Sequence, residues 1–453
     1  MEMATEMKKI SLFEKLIYGS GDVGLNAMYT LFSSYVLMFY TDVLMINAAL
    51  IGTVIMISKI FDGISDLIAG QLIDKHKNKY GHCIPVLMKW AIPMVLSVIL
   101  VFTVPDGSVG LRVAYIFITY NLFNTILYTY VGMAHGSLAS YVTNDSKDRS
   151  QMLIFKMMFA AATQTIMASV MIPMVEYFGG QQMQSAWIKA IMVFGVIGLI
   201  PIALNVFFVK ERVENDAPAE NILIGVKCAV VNKYWWMAFI VNLMANFILT
   251  FNLSVSLYYL KDVVGNIALM GTFVACSNLP GVIISAVAPF LLNKFTKQQM
   301  VIFGAGCMLA AQIAFIFMPF TTTMLFITAL LRGIGMGFAM GMAGALIGDT
   351  IDYGEWKTGV RVQSVLFSAA SVGAKVGQGA LTAAFGFVLS AIAYDGSLAV
   401  QTAGTISGID AFFKYGPLVV AIILLIDILM LDVEKKNPQF IREITERKAG
   451  KNA

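Results

Sequence analysis

Three charged residues lie within a segment whose apolar composition places it inside a membrane. Lys59, Asp62 and Asp66 interrupt the otherwise apolar residues 48–73, and charges in hydrocarbon usually face a bundle interior or a wet cavity, where they are functional. The i,i+3 and i,i+4 spacings put all three on one helical face. Because two carboxylates this close repel unless a cation or a proton lies between them, the pattern predicts a cation- or proton-binding site. The alternative is a structural ion-pair network.

The composition of the whole chain is that of a protein that crosses a membrane many times. Of its 453 residues, 58% are hydrophobic and only 13% are charged, whereas soluble domains carry about 25% charged residues. The net charge of +4 does not indicate a nucleic-acid partner, because Lys and Arg collect in cytoplasmic loops. The sequence has no nucleophile–base set, nucleotide-binding loop or histidine pair at metal-ligand spacing. We therefore expect neither an enzyme nor a cofactor.

Twelve stretches have the length of about 20 apolar residues that a membrane span requires. The predicted spans are residues 15–43, 48–73, 84–105, 112–141, 152–178, 186–209, 235–261, 266–293, 299–319, 322–350, 362–393 and 412–432. Lys and Arg concentrate in the loops on one side and near both ends of the chain. The positive-inside rule therefore predicts that both termini are cytoplasmic. We expect a multi-pass protein of the cell (inner) membrane whose first span is retained, since residues 1–12 lack the features of a signal peptide.

The longest polar interruption divides the predicted spans six and six. We expect an N-terminal six-helix half at 1–209, a cytoplasmic linker at 210–234, a C-terminal six-helix half at 235–434 and a cytoplasmic tail at 435–453. Residues 220–235 within this interruption have the pattern of an amphipathic surface helix. An all-α polytopic membrane protein with twelve transmembrane helices in two six-helix halves is the layout of the major facilitator fold, in which the binding site lies between the halves.

Four motifs are similar to those of one transporter family. They are Y-G-S-G-D-V-G-L-N at 18–26, K-I-F-D-G-I-S-D at 59–66, Y-G followed by a proline at 80–85, and D-T-I-D-Y-G-E-W-K-T-G-V-R at 349–361. On these residues the chain resembles the glycoside–pentoside–hexuronide:cation symporters, the branch of the major facilitator superfamily that contains the melibiose carrier. The resemblance implies cation-coupled symport of a small-molecule sugar across the lipid bilayer by alternating access, and we expect a monomer.

The resemblance also implies a coupling-ion site on the second and fourth spans. Four side chains would bind the ion: Asp62, Ser65, Asp66 and Thr129. Lys375, on the eleventh span, matches a buried lysine that faces these carboxylates, so Lys375 and Lys59 are the expected coupling residues. Sodium suits hard oxygen ligands. Ser65 stands where the melibiose carrier has an asparagine, and a proton needs only a buried carboxylate, so Na⁺ and H⁺ both stay open.

A sugar site is the third implication of the resemblance. The acids that grip the sugar in the melibiose carrier are replaced here by Asn26 and Gly132, so melibiose itself is not the expected substrate. The candidate substrate-binding residues are Asp22, Asn26, Tyr128, Gly132, His135, Lys375 and Arg332. Arg332 could pair with an anionic sugar such as a hexuronide, or form a structural network. His135 is either a ligand or a satisfied core histidine.

Charged residues at the cytoplasmic ends of the two halves form the expected gate. They are Asp74, Asp352, Glu355 and Arg361, and opposite charges there would close the inner side reversibly. The expected function is symport of a glycoside, pentoside or hexuronide. One alternative is a lipid or lysolipid carrier of the same fold, which needs an apolar lateral opening. Another is a non-transporting membrane sensor, which usually carries a soluble output domain that is not visible in this sequence.

Overall fold

The computed structural model describes residues 10–75, 78–143, 145–213, 222–292, 294–360 and 364–451. Within these ranges the chain forms twelve long helical segments, α1–α12, which correspond one to one with the predicted spans. They are α1 (Leu12–Met38), α2 (Ala48–Lys75), α3 (Ile84–Val101), α4 (Val109–Tyr120, Asn121–Tyr128 and Thr129–Val142), α5 (Ser146–Tyr177), α6 (Gln184–Phe208), α7 (Lys233–Val263), α8 (Met270–Leu291), α9 (Lys297–Phe317), α10 (Thr322–Thr358), α11 (Ser364–Ala391) and α12 (Ala403–Met430).

Ten stretches of the described chain are long and apolar enough to cross a membrane. The other two segments, α1 and α4, contain more polar side chains, and these face the interior of the bundle. Charged and amide residues in a spanning helix need partners inside the protein, because lipid offers none. These polar side chains are therefore available to an internal site.

Two further helices lie outside the twelve spans. A linker helix, Ile222–Val231, occupies the segment where the sequence predicted an amphipathic helix, and a tail helix, Val433–Lys451, follows α12. The tail helix is fixed to the end of α10, since Glu443 accepts a hydrogen bond from the Trp356 indole (2.5 Å) and Arg447 donates to the Trp356 carbonyl (2.8 Å). The predicted tail is thus a docked helix rather than an extended segment.

The end of α10 differs from the predicted span. The sequence placed the end of the span at residue 350, yet α10 continues to Thr358 and ends at Gly359, whose φ of 75° is the left-handed conformation that favours glycine at a helix C-terminus. Charged residues limit how far a helix can remain in lipid, but they do not stop it from continuing into water. The motif at 349–361 is therefore largely a helical extension of α10 and not a loop.

The twelve segments pack as two groups, α1–α6 and α7–α12, joined along two seams. In the first group α1 packs along α5 and α6, and in the second α7 packs along α10 and α11. The seams between the groups are α2 against α11 and α5 against α8. Counted within each group, α8 is the counterpart of α2 and α11 is the counterpart of α5. Each seam therefore pairs the second helix of one group with the fifth helix of the other group, as expected for two related repeats.

Small residues let the helix backbones approach each other closely. A Cβ atom on Gly24 of α1 would collide with the carbonyl oxygen of Gly198 on α6. Close backbone approach at glycine is a common way to pack helices in a membrane, where the hydrophobic effect does not hold them together. The contact fixes α1, which carries Asp22 and Asn26, against the outer helix α6.

We predict that Gly24→Ala destabilises the protein by about 1–3 kcal/mol, the usual range for overpacking a tight contact. The matched control is Gly306→Ala on α9, where a Cβ atom would meet nothing within 4 Å. The measurement is the thermal unfolding midpoint of each variant in the same detergent. Equal midpoints for the two variants would show that the α1–α6 contact is not tight in solution.

Candidate functional site

The structure brings Lys375 of α11 between two carboxylates of α2. The Lys375 Nζ lies 2.9 Å from Asp62 Oδ1 and 2.7 Å from Asp66 Oδ1. Asp62 is 2% exposed and Asp66 is 9% exposed. Three residues that the sequence singled out thus form one contact, and this contact crosses the α2–α11 seam. Removal of any one of them leaves a buried charge without compensation, which is strongly unfavourable in a low dielectric.

Polar groups from α2 and α4 complete this charged cluster. Lys59 Nζ lies 3.3 Å from Asp62 Oδ2 and 3.4 Å from the side-chain oxygen of Asn124. The Thr129 hydroxyl donates to Asp62 Oδ1 at 2.8 Å. The cluster therefore contains two carboxylates and two ammonium groups, and its formal charge is zero. Asp62 has partners on three helices, so it is the most constrained member.

Two serines lie close to the carboxylates in different ways. The Ser65 hydroxyl donates to the carbonyl of Asp62 within its own helix (2.8 Å), so its proton is directed along α2 and not toward a carboxylate. The Ser371 hydroxyl of α11 faces Asp66 Oδ2 at 3.5 Å. The sequence prediction included Ser65 and missed Ser371. A signal was present, because Ser371 precedes Lys375 by one helical turn and therefore shares its face.

A cavity of about 540 Å³ lies beside the cluster, between the two groups of helices. This volume falls in the range of small-molecule sites. Its polar lining comes from both groups: Tyr29, Asp62, Asn124 and Tyr128 from the first, and Asn242, Asn246, Ser371, Lys375 and Gln378 from the second. Lys375 therefore belongs to both the cluster and the cavity wall.

Three amide side chains form a continuous row on the second group's side of the cavity. Gln378 Nε2 donates to Asn246 Oδ1 at 2.7 Å, and Asn246 Nδ2 donates to Asn242 Oδ1 at 3.1 Å. The Tyr29 hydroxyl reaches Gln378 Oε1 at 3.4 Å, and its ring stacks on that of Tyr128 with centroids 5.0 Å apart. Each amide offers donors and an acceptor. The wall can therefore exchange hydrogen bonds with a polyhydroxylated ligand.

Of this wall, sequence reasoning predicted only Tyr128 and Lys375. It missed Tyr29 and the three amides. Asn242 and Asn246 are one turn apart in an apolar span, and this spacing predicts that they share a polar face of the helix. The partnership with Gln378, which lies more than a hundred residues away in the chain, could not be read from spacing.

Asp22 is the centre of a second polar group, on α1. It is 5% exposed, and Asn26 Nδ2 donates to its Oδ2 at 2.7 Å. His135 Nδ1 lies 3.6 Å and Lys156 Nζ 3.9 Å from its Oδ1. Lys156 was missed, although an ammonium within the predicted fifth span is the same kind of signal that marked Lys375. Beside this group Gly132 has open space, with nothing within 4 Å of the position of a Cβ atom.

Five of the seven predicted substrate ligands do not line the cavity: Asp22, Asn26 and Gly132, described above, and also His135 and Arg332. His135 is 1% exposed, its Nε2 lies 3.0 Å from the Tyr18 carbonyl, and its ring stacks on Tyr18. Arg332 is 1% exposed and lies between the rings of Phe273 and Phe413, at 5.4 and 5.0 Å from their centroids. In this conformation both side chains are core residues, because aromatic packing separates them from the cavity. The structure therefore corrects their assignment as direct contacts.

The predicted cytoplasmic gate is only partly visible. Asp352 accepts a hydrogen bond from Asn437 of the tail helix at 3.1 Å, and Glu355 is 6% exposed. Both lie at the extension of α10. The Asp74 side chain and Arg361 fall outside the described residues, so the proposed pairing between the two groups stays a prediction.

The opposite end of the bundle is closed by a polar contact between the two groups. Lys261 of α7 donates to Asp42, which follows α1, and the Tyr394 hydroxyl after α11 donates to the same carboxylate at 3.1 and 3.2 Å. The Thr41 hydroxyl lies 3.0 Å from the Tyr258 hydroxyl. We call these five residues the end closure.

The closure is built from matching turns of the two groups. α1 continues into a π-helical turn, Phe39–Val43, and α7 ends in a π-helical turn, Tyr259–Val263. At the end of the first turn, the backbone N–H groups of residues 44 and 46 donate hydrogen bonds to the carbonyls of residues 39 and 40. At the end of the second turn, those of residues 264 and 266 donate to the carbonyls of 259 and 260 in the same pattern. π-Turns are rare and are often found at functional sites. Asp42 and Lys261 each lie within one of these two turns.

The fold and this site together define a polytopic membrane transporter. Two groups of six helices enclose a polar cavity, with charged contacts across a seam and at one end. A family model described as MFS/sugar transport protein matches residues 17–435, and the chain belongs to this family. It is therefore a multi-pass membrane transporter of the major facilitator fold and not an enzyme, as the motifs in the sequence predicted.

Individual relatives agree with this assignment. The chain is 27% identical over 452 residues to the isoprimeverose transporter of Lactiplantibacillus pentosus, covering 97% of this chain and 92% of the relative. It is also 27% identical to a glucuronide carrier protein homolog of Escherichia coli, covering 95% of each. Among solved structures, nucleoside transporter NupG aligns with a TM-score of 0.63 at 12% identity, covering 91% of this chain and 98% of that one. This last likeness concerns the fold alone.

We predict that Lys261→Met opens the end closure. A hydrogen bond to a charged group contributes about 1.5–3 kcal/mol, and 1.4 kcal/mol corresponds to tenfold in a population. A cysteine at Ser33, on α1 below the closure, should therefore react at least about tenfold faster with a membrane-impermeant thiol reagent applied to that face, in a background where the four native cysteines are replaced.

The matched control is Lys414→Met, whose partner Asp410 lies 2.7 Å away on the same helix. It removes an ammonium without breaking a contact between the groups. Unchanged labelling in Lys261→Met, or an equal increase in both variants, would show that the contact of Lys261 with Asp42 does not close this end of the bundle.

Proposed function

We propose that the protein is a secondary active transporter that couples the movement of a cation, Na⁺ or H⁺, to the uptake of a sugar by alternating access. The sugar is a glycoside, a pentoside or a hexuronide. The observation that carries the proposal is the position of Lys375, which contacts two carboxylates of the other group and also lines the amide-rich cavity. One side chain therefore connects the candidate ion site with the candidate sugar site.

The proposed organisation follows the two groups of helices. Residues 1–209 and 235–434 are the two halves, 210–234 is the cytoplasmic linker and 435–453 is the cytoplasmic tail. Both termini are in the cytoplasm of a cell whose inner membrane holds the protein, and the carrier acts as a monomer. The excess of Lys and Arg in the loops on that side supports the orientation.

The proposed ion step follows from the charge of the cluster. With Asp62, Asp66, Lys59 and Lys375 all ionised the formal charge is zero, so an added Na⁺ would leave one uncompensated positive charge in a buried site. The ion can bind only if Lys375 withdraws, and the ligands then available are Asp62, Asp66 and Thr129. A proton on Asp66 would weaken the same contact. Either ion therefore loosens the α2–α11 seam.

The proposed sugar step uses the amide row. Sugar hydroxyls both donate and accept hydrogen bonds, as the amides of Asn242, Asn246 and Gln378 do. The stacked rings of Tyr29 and Tyr128 offer an aromatic surface for the sugar's C–H groups. A ligand here also reaches the Lys375 ammonium. Ion and sugar thus act on the same lysine, and the coupling between their affinities must be reciprocal.

The proposed transport cycle alternates closure between the two ends. The end closure at Asp42 and Lys261 seals one face, and the cavity extends away from it along α10 and α11. In the opposite state the predicted gate residues Asp74, Asp352, Glu355 and Arg361 would close the other face. Charged contacts that form in one state and break in the other suit gates.

The first test is transient charge movement in reconstituted liposomes. Free sugars, glycosides and glucuronides are applied with and without Na⁺, at two pH values. We expect a current for one sugar class that requires Na⁺ or a proton gradient, and we expect Asp66→Asn to abolish it. If no sugar gives a current or is taken up although the protein is folded, the sugar proposal is wrong and the lipid carrier becomes the leading alternative.

The second test concerns Lys375. Because Lys375 competes with the ion for the carboxylates, Lys375→Met should raise the affinity for the coupling ion by about tenfold or more while ion-dependent accumulation of sugar is lost. Ion affinity is measured by the protection that the ion gives against thermal unfolding, and accumulation is measured by uptake in vesicles. Lys375→Arg, which keeps the positive charge, is the matched control. A Lys375→Met variant with normal ion affinity and normal accumulation would falsify the coupling role.

A further inference from the structure

A smaller chamber of about 190 Å³ lies on the second seam, next to the amide-lined cavity. It is lined by α5, α8 and α10, with Leu249 of α7 on one side. Met340 of α10 lines both spaces. The chamber therefore adjoins the candidate sugar site at Met340, a flexible side chain.

The walls of the chamber are apolar and small. Ala160 and Ala161 contribute the α5 wall, and Gly281 and Gly337 contribute the wall between α8 and α10. A Cβ atom on Gly337 would lie 2.7 Å from the Cα atom of Gly281. The two helices thus pack backbone against backbone, and no side chain from these positions fills the space. The small residues at these four positions leave room between the larger lining side chains, among them Met157 and Met336.

One end of the chamber is polar. Asn278 Nδ2 of α8 donates to Gln164 Oε1 of α5 at 2.8 Å, and Gln164 Nε2 donates to Asn26 Oδ1 at 3.2 Å. Asn278 is 3% exposed, and its Oδ1 has no hydrogen-bond partner within the part of the chain that the structure describes. A buried amide oxygen without a partner is unfavourable. The oxygen is itself covered by protein, so the polar groups at this end of the chamber are the Asn278 and Gln164 side chains that already bind each other.

We propose that this chamber binds the aglycone of a glycoside whose sugar ring lies in the amide-lined cavity. The compartment fits a compact, mainly apolar group, because most of its lining side chains are apolar. This inference rests on the proposed function and deepens it, because it assigns the substrate to glycosides with a small aglycone. A free monosaccharide would leave the chamber without a ligand.

The proposal predicts how much more tightly the protein binds an alkyl glycoside than the corresponding free sugar. Burial of each methylene of an aglycone in an apolar site favours binding by about fourfold. A three-carbon alkyl glycoside should therefore bind at least about tenfold more tightly than the same sugar in its free form. An octyl chain exceeds the chamber and should gain nothing over the three-carbon group.

The test measures the affinities of the purified protein for three forms of one sugar: free, isopropyl glycoside and octyl glycoside. The sugar is the one that gives the largest transient current. In the variant Ala160→Leu, which fills the chamber, we expect the tenfold preference for the isopropyl glycoside to disappear while binding of the free sugar is kept. Ala162→Leu is the matched control, since Ala162 lies on the same helix with its side chain exposed outside the chamber.

A second variant tests the opposite direction. Leu249→Ala enlarges the chamber and should extend the preference to glycosides with a longer alkyl group, so that misfolding of one variant does not decide the outcome. A preference that survives Ala160→Leu, or its absence from the unmodified protein, would overturn the chamber assignment alone. A preference that keeps increasing up to the octyl chain would mean that the space opens to lipid. If no form of any sugar binds, the proposed function itself fails.

Discussion

The contact of Lys375 with Asp62 and Asp66 is the interaction on which the rest of the bundle depends. An ammonium and two carboxylates inside a membrane must remain together or be compensated by another ion, because lipid solvates none of them. The contact therefore holds α11 against α2 and keeps the cluster with Lys59 neutral. Because Lys375 also lines the amide-lined cavity, a ligand in that cavity affects the charge balance of the seam.

The two seams between the helix groups are related in position and different in chemistry. On the α2–α11 seam the contact is ionic, and on the α5–α8 seam it is the neutral hydrogen bond between Gln164 and Asn278. An ionic seam responds to a cation or a proton, whereas an amide seam responds to a ligand that exchanges hydrogen bonds. The proposed ion and sugar sites both adjoin the ionic seam at Lys375, and the amide seam adjoins the side chamber. The end closure also reflects the correspondence between the two groups, because its matching turns lie at the ends of α1 and α7, the first helix of each group.

Much of the fold and part of the site could be predicted from the sequence, for identifiable reasons. Apolar length determines a span, so all twelve segments were found, with errors at ends such as that of α10, where the helix leaves the membrane without a break. Lys59, Asp62, Asp66 and Lys375 were found because a charge in an apolar stretch is conspicuous. Tyr29, Asn246 and Gln378 were not, since tyrosines and amides in a span are common and their significance depends on which helix they face.

The sequence by itself determined the number of spans, the family motifs and the residues that cannot be left unpaired in lipid. Only the tertiary structure decided which partners they have. It placed His135 and Arg332 in aromatic cores and away from the cavity, and it brought Asp42 to Lys261 and Gln164 to Asn278 across the two groups. It also created the side chamber, which exists because Ala160 and Gly337 lie on opposite walls. Local spacing fixes the face of a helix on which a residue lies, but the packing of helices distant in sequence decides what that face meets.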